Sequence, residues 1–230
     1  MIETRLIRTQ IGNYNIPLEY SCCPICYAMH TGKVYDDEIV DFVNSKIKPH
    51  STVIDAGACF GQMSLIFAKK AAGVYSFEAN SDVYEIFLKN IKDNDAKNIY
   101  PFNCAVWDND GQTVYVGWTD LKITRNYGGG QIRFAEQESE KLAIQTKTID
   151  SLGLDNVSVI KTDIQGSDLK ALRGAIETIK LCRPVLVFEY ADIAAPLYGD
   201  PWKDYLKFLD SVGYKLGKEI TKINFVAEPK

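Results

Sequence analysis

The chain has only two histidines, His30 and His50, among its 230 residues. A catalytic site or metal centre built on several imidazoles is therefore excluded. His50 follows Pro49 and is expected to be exposed. His30 is available as a base only if the N-terminal segment folds over a site. Positive charge is not in excess either: 26 Lys and Arg stand against 30 Asp and Glu, for a net charge of −4. Nothing suggests a nucleic-acid partner held by a basic face. No apolar run is long enough to span a bilayer, and MIETRLIRTQIG lacks the core of a signal peptide. A soluble, cytoplasmic protein with no membrane partner is expected. Repeats, low-complexity tracts and obvious linkers are also missing, so one domain over 1–230 is expected. Its 46% hydrophobic content suits a sizeable core.

Six cysteines are present. Cys59, Cys104 and Cys182 lie in apolar surroundings and read as small buried hydrophobes. CCPICYAMH brings Cys22, Cys23, Cys26 and His30 together, a spacing that admits zinc. Adjacent cysteines rarely reach one metal, however, and no second CxxC pair exists. Reduced thiols are the expected state.

Residues 3–20 read as two short strands turning at Ile11-Gly12-Asn13. DDEIVDFVNSKI, with Ile39, Val40, Val43 and Ile47 at helical spacing, reads as a helix with acids in its first turn. These two elements make an N-terminal unit of residues 1–50. From Ser51 the pattern changes. TVID, VYSFEA and NIYPFNCAVWD read as strands. GQMSLIFAKKA and SDVYEIFLKNIKDND read as helices, the second opened by Ser81 as N-cap. Strands alternating with helices imply βαβ units and a parallel sheet, and right-handed crossovers put helices on both faces.

Between Asp108 and Thr148 the alternation breaks into further strands and a loop at Tyr127-Gly128-Gly129-Gly130. It resumes with SVIKTD, a helix from Ser167 through SDLKALRGAIETI, and the strand PVLVFEY. PWKDYLKFLDSVG then reads as a helix with Pro201 near its start, and two closing strands follow. The fold class is α/β: a Rossmann-like sheet of seven strands, mostly parallel with one antiparallel, with a β insertion after the third strand.

Such sheets bind ligands at the carboxyl ends of their strands. The first βα junction is VIDAGACFGQMSL. Gly57 allows a tight turn and Gly61 a close helix start, but the dinucleotide pattern GxGxxG is missing. An acid, Asp55, precedes the first glycine instead. It would repel a pyrophosphate and favour a cationic ligand. Glu78 ends the next strand, where an acid commonly grips ribose hydroxyls. Ribose and positive charge without phosphates describe S-adenosylmethionine.

The sequence resembles the FkbM-type family of class I S-adenosylmethionine-dependent methyltransferases. VIDAGACFGQMSLIFAK is similar to its first motif and VYSFEAN to its second. The order KTIDSL, VIKTDIQGSDLKALRGA, PVLVFEY is the most specific match, and GKVYDDEI resembles the lead-in. The match runs from about Gly32 to Tyr190. The resemblance implies that Asp55, Gly57, Ala58 and Gly61 line the cofactor's methionine side. By the same resemblance Glu78 holds the ribose, and Asn103 and Ala105 meet the adenine. It also implies a sugar or natural-product hydroxyl as the methylated group. Two positions depart: Gln165 and Asp168 stand where the family usually has Glu. Cys59 stands where Asn is more common.

VIKTDIQG places Lys161 and Asp163 two residues apart on one side of a strand. Buried charge there is costly unless paired or useful. Asp163 and Glu189, at the ends of neighbouring strands, are expected to converge where the methyl group sits. They serve as base, or as ligands of a divalent metal, and Lys161 balances their charge. Residues 125–134 are expected to border the acceptor pocket and order on binding, with Arg125 or Arg133 available to an anionic group. Trp107, Trp118 and Trp202 are each able to stack on a sugar. Two other readings share the sheet: an NAD-linked oxidoreductase and a cofactor-binding module without catalysis.

Overall fold

The computed structural model describes residues 2–20, 23–117, 126–129, 131–133, 142–192 and 194–230. Cys22, Trp118, Arg125 and Gly130 lie outside the described residues, as does the side chain of Arg133.

The chain opens with the expected hairpin, β1 (Thr4–Arg8) paired antiparallel to β2 (Asn13–Pro17). Helix α1 (Pro24–His30) and helix α2 (Asp37–Lys46) follow. The sheet is then built by β3 (Thr52–Ala56), β4 (Gly73–Phe77) and β5 (Ile99–Phe102), separated by α3 (Gln62–Phe67) and α4 (Ser81–Asp93). After the insertion come β10 (Val157–Thr162), helices α5 (Asp168–Arg173) and α6 (Ile176–Cys182), and β11 (Val185–Glu189). Helix α7 (Trp202–Ser211), β12 (Tyr214–Leu216) and β13 (Asn224–Pro229) close the chain. The seven strands run in the order β12-β13-β11-β10-β3-β4-β5. Strand β13 alone runs against the others, pairing antiparallel with both neighbours.

Alternation along the central strands divides the core in two. Val53, Val74, Val159 and Val187 face one layer, with α2, α3, α4 and the hairpin. Ile54, Ile160, Leu186 and Phe188 face the other, with α5, α6 and α7. This is the period of two that a sheet covered on both faces demands. Asn90, buried on α4, accepts from the backbone and side-chain N–H groups of Asn15 and donates to Phe60 O at 2.9 Å. It thereby ties the hairpin and the glycine loop to one helix.

Three local expectations are corrected. Asn80, not Ser81, caps α4: its Oδ1 accepts from the N–H groups of Asp82 and Val83. Asparagine and serine cap about equally well, and here the Asn80 side-chain carbonyl is the one that reaches both donors. The third strand does not continue through Val106. It stops at Phe102, and β6 (Ala105–Val106) joins a second sheet with β7 (Thr113–Gly117), β8 (Gln131–Arg133) and β9 (Leu142–Lys147), in the order β6-β9-β7-β8. The helix from Ser167 is broken in two at Gly174. There the chain packs on the Trp107 carbonyl so closely that a Cβ would lie 1.9 Å from its oxygen. Among the described residues, no helix is long and apolar enough to cross a membrane.

Candidate active site

The carboxyl ends of β3, β4, β10 and β11 surround a cavity of about 210 Å³. The glycine loop forms one wall. The N–H groups of Gly57 and Ala58 both donate to Phe77 O, at 3.0 and 2.9 Å, which pins the loop to the next strand. Gly57 has φ +85°, a region closed to most side chains. Cys59 also sits in the left-handed region, with φ 49°. Asparagine tolerates that conformation better than cysteine.

Glu78 is half-buried and grips the loop. Its Oε2 accepts from Cys59 N–H at 2.9 Å and its Oε1 from Asn80 N–H at 2.8 Å. Burial raises its pKa to about 7, against the lowering effect of those two N–H groups. Each oxygen has a second lone pair available to a further donor, and Glu78 lines the cavity. Asn103 fixes the strand end behind Glu78 by donating to Glu78 O at 2.8 Å.

In VIKTDIQG, Lys161 pairs with a second carboxylate besides Asp163. Lys161 lies opposite Asp55 in the parallel register of β10 and β3. Its Nζ is 3.2 Å from Asp55 Oδ1 and 3.9 Å from Asp163 Oδ2. Both Lys161 and Asp55 are fully buried. Burial by itself would lower the Lys161 pKa, but Asp55 and then Asp163 hold it above its ordinary value. Ser64 donates to the other Asp55 oxygen at 2.6 Å.

Asp163 and Glu189 do converge. Both line the cavity, with Asp163 the more exposed. Burial drives the Glu189 carboxyl well above the usual range, helped by the charges of Asp163 and Asp168 and a hydrogen bond with Asp163. Its Oε2 has no hydrogen-bond partner. Asp168, wholly buried, is raised to about 7 by desolvation and accepts from the Glu189 N–H at 3.2 Å. Asp163 and Glu189, so placed, titrate as a coupled pair rather than independently.

Of the residues singled out from sequence, Gly57, Glu78, Ala105, Asp163 and Glu189 line the cavity. Ala58 and Lys161 line a smaller annex of about 40 Å³ that adjoins it. Asp55, Gly61 and Asn103 line neither. Asp55 sits beneath the loop with Lys161. Gly61 starts α3 against the Phe87 ring, where a Cβ would come within 2.1 Å. His30 is bonded to Arg5 and Tyr20, away from the cavity, and His50 is exposed. Trp107 is buried and Trp202 packs among Tyr190, Tyr205 and Phe225, so neither offers a sugar platform. No group of three or more metal-ligating side chains is assembled among the described residues. Tyr35 and Asp36 line the cavity and were missed. Their signal was the VYDDEI lead-in, which reads only as a helix start. From the insertion, Asn126, Tyr127, Gly128 and Gly129 border the cavity.

Residues 55–216 match the model of the methyltransferase FkbM domain. The hexuronic acid methyltransferase AglP of Haloferax volcanii is 23% identical over 189 residues, 82% of this chain and 73% of that protein. Among solved structures, a methyltransferase FkbM from Methylobacillus flagellatus superposes with a TM-score of 0.51 at 18% identity. That match covers 88% of this chain but 52% of the other, so this chain spans about half its length. A putative rRNA-methylase from Clostridium thermocellum superposes with a TM-score of 0.53 at 10% identity, over 84% of this chain and 95% of that one. These structures share the class I methyltransferase fold. With the domain model matched over more than half of its length, the chain belongs to the FkbM family of methyltransferases.

Proposed function

We propose that this chain is an S-adenosylmethionine-dependent O-methyltransferase acting on a hydroxyl of a sugar or similar polyol. The observation that carries the reading is the cavity itself, which gathers Gly57, Glu78, Asp163 and Glu189 at the sheet's carboxyl edge. The donor set fits the cofactor. Free lone pairs of Glu78 suit ribose hydroxyls, the carboxylates suit a cationic sulfur, and the acid-lined entrance disfavours phosphates. When bound, the cofactor supplies a methyl carbon on a cationic sulfur, which departs as a neutral thioether. Asp163 takes the proton of the acceptor hydroxyl as its oxygen attacks. Glu189, whose pKa is raised first by burial and then by Asp163, orients Asp163 through their shared hydrogen bond. Lys161 and Asp55 hold the Asp163 strand end from below. The relative that acts on hexuronic acid supports a sugar acceptor.

Residues 126–129 fit an acceptor wall. Tyr127 packs on Phe60 with centroids 5.6 Å apart and donates to Glu19 O at 3.0 Å. Acceptor binding is expected to slow amide exchange there.

The test is calorimetric. S-adenosylhomocysteine should bind and NAD should not, which separates methyl transfer from the oxidoreductase reading. Transfer of a labelled methyl group to a sugar panel then separates an enzyme from a binding module. Binding of NAD, or no binding of either, would overturn the proposal.

A further inference from the structure

The charge in the cavity is one-sided. Among the described residues, Asp36, Glu78, Asp163 and Glu189 line it, and no Lys, Arg or His does. Lys161 reaches only the annex, and Asp55 is its nearest partner. Glu189 is 7% exposed and presents an oxygen with no donor. A buried acceptor left unmade costs stability, and such a group calls for a specific explanation. A ligand that brings the missing donor provides one.

Tyr35 stands among these carboxylates. Its phenol is raised to about 12, first by burial and then by the charges of Asp36, Asp163 and Glu189. Asp36 is itself raised, by burial and then by Asp163. An aromatic ring flanked by carboxylates is the surrounding an ammonium group favours, through ring quadrupole and charge-assisted hydrogen bonds together. On the methyltransfer reading, the cofactor's cationic sulfur would offset Asp163 and its ribose would engage Glu78. Asp36 and Glu189 are left for the acceptor.

We propose that the acceptor is a hydroxyl compound bearing an ammonium group, such as an amino sugar, whose cation sits by the Tyr35 ring between Asp36 and Glu189 while its hydroxyl meets Asp163. The proposal rests on the methyltransfer reading above and narrows its substrate class. A sugar acid, the acceptor class of the Haloferax relative, would bring like charge to like charge here and is disfavoured, so the relative supports the sugar scaffold and not its charge.

The experiment uses the full chain saturated with S-adenosylhomocysteine, titrated at low salt with glucosamine, N-acetylglucosamine and glucuronate. Glucosamine should bind at least about tenfold tighter than its neutral N-acetyl form, with glucuronate weakest, as expected for charge complementarity in a partly buried site. Asp36→Asn keeps a residue that tolerates the left-handed backbone at this position, where φ is 49°. It should abolish the preference for glucosamine while S-adenosylhomocysteine affinity holds. Glucuronate binding as tightly as glucosamine, a flat order, or no glucosamine binding overturns the proposal. So does an Asp36→Asn protein that loses cofactor affinity but keeps the acceptor order, because the acids would then serve the cofactor. Failure of S-adenosylhomocysteine to bind at all sinks the methyltransfer reading, and the proposal with it. The glucuronate arm also tests the opposite expectation, that Arg125 or Arg133 holds an anionic group.

Discussion

Gly57 and Asp163 meet backbone to backbone at the floor of the cavity: a Cβ on Gly57 would lie 2.0 Å from the Asp163 carbonyl oxygen. The glycine loop and the proposed base are thus one rigid unit, and a change at one moves the other.

Gly57→Ala should therefore destabilise the protein by at least about 2 kcal/mol, combining left-handed strain with a clash that no side chain can relieve. Cofactor affinity should fall as well. Chemical denaturation showing an unchanged midpoint and slope would contradict the close approach.

Asp163→Asn should lower turnover at least about a hundredfold, the scale of losing a positioned base. S-adenosylhomocysteine affinity should change little, since the amide keeps the shape of the side chain. Single-turnover rates beside calorimetry separate the two effects. Near-normal turnover would leave Asp163 a structural residue.

Glu78→Ala should weaken S-adenosylmethionine binding by about 1–3 kcal/mol, the range for hydrogen bonds to a charged group. The raised pKa adds a pH signature. With Glu78 titrating near 7, a ribose that donates to the carboxylate should bind more weakly at pH 6 than at pH 8. An affinity flat across that interval in the unmodified protein would remove Glu78 from the ribose site.

Glu189→Gln should stabilise the ligand-free protein at alkaline pH. The folded-state pKa of Glu189 is raised, so the folded chain binds more protons than the unfolded chain between about 4.5 and about 9. Its favourable contribution is fully present below that window and is lost as pH rises through it. Burial is the main cause of the shift; Asp163 and Asp168 face the carboxyl and add to it, and Lys161 opposes it. Melting temperatures measured from pH 5 to pH 9 should fall less steeply in the variant. Parallel curves would mean that Glu189 titrates normally.

Much of this protein was legible in its sequence because local rules decide it. Strand and helix follow from apolar periods of two and 3.6. The hairpin follows from its turn, and the acids at the sheet's carboxyl edge follow from where each strand ends. Glu78, Asp163 and Glu189 reach one cavity for that reason. Long-range relationships were decided by the tertiary structure alone. Lys161 looked like the partner of Asp163, two residues away, yet the register of β10 against β3 sets Asp55 opposite it and closer. The apolar stripe of the helix from Ser167 runs on through Gly174, yet the helix breaks there, where the chain packs against the Trp107 backbone. Tyr35 and Asp36 entered the cavity because α2 packs beside β10 and α3, a contact no spacing within residues 33–40 encodes. Periodicity tells which side of an element is buried, but only the packed chain selects what each buried charge meets there.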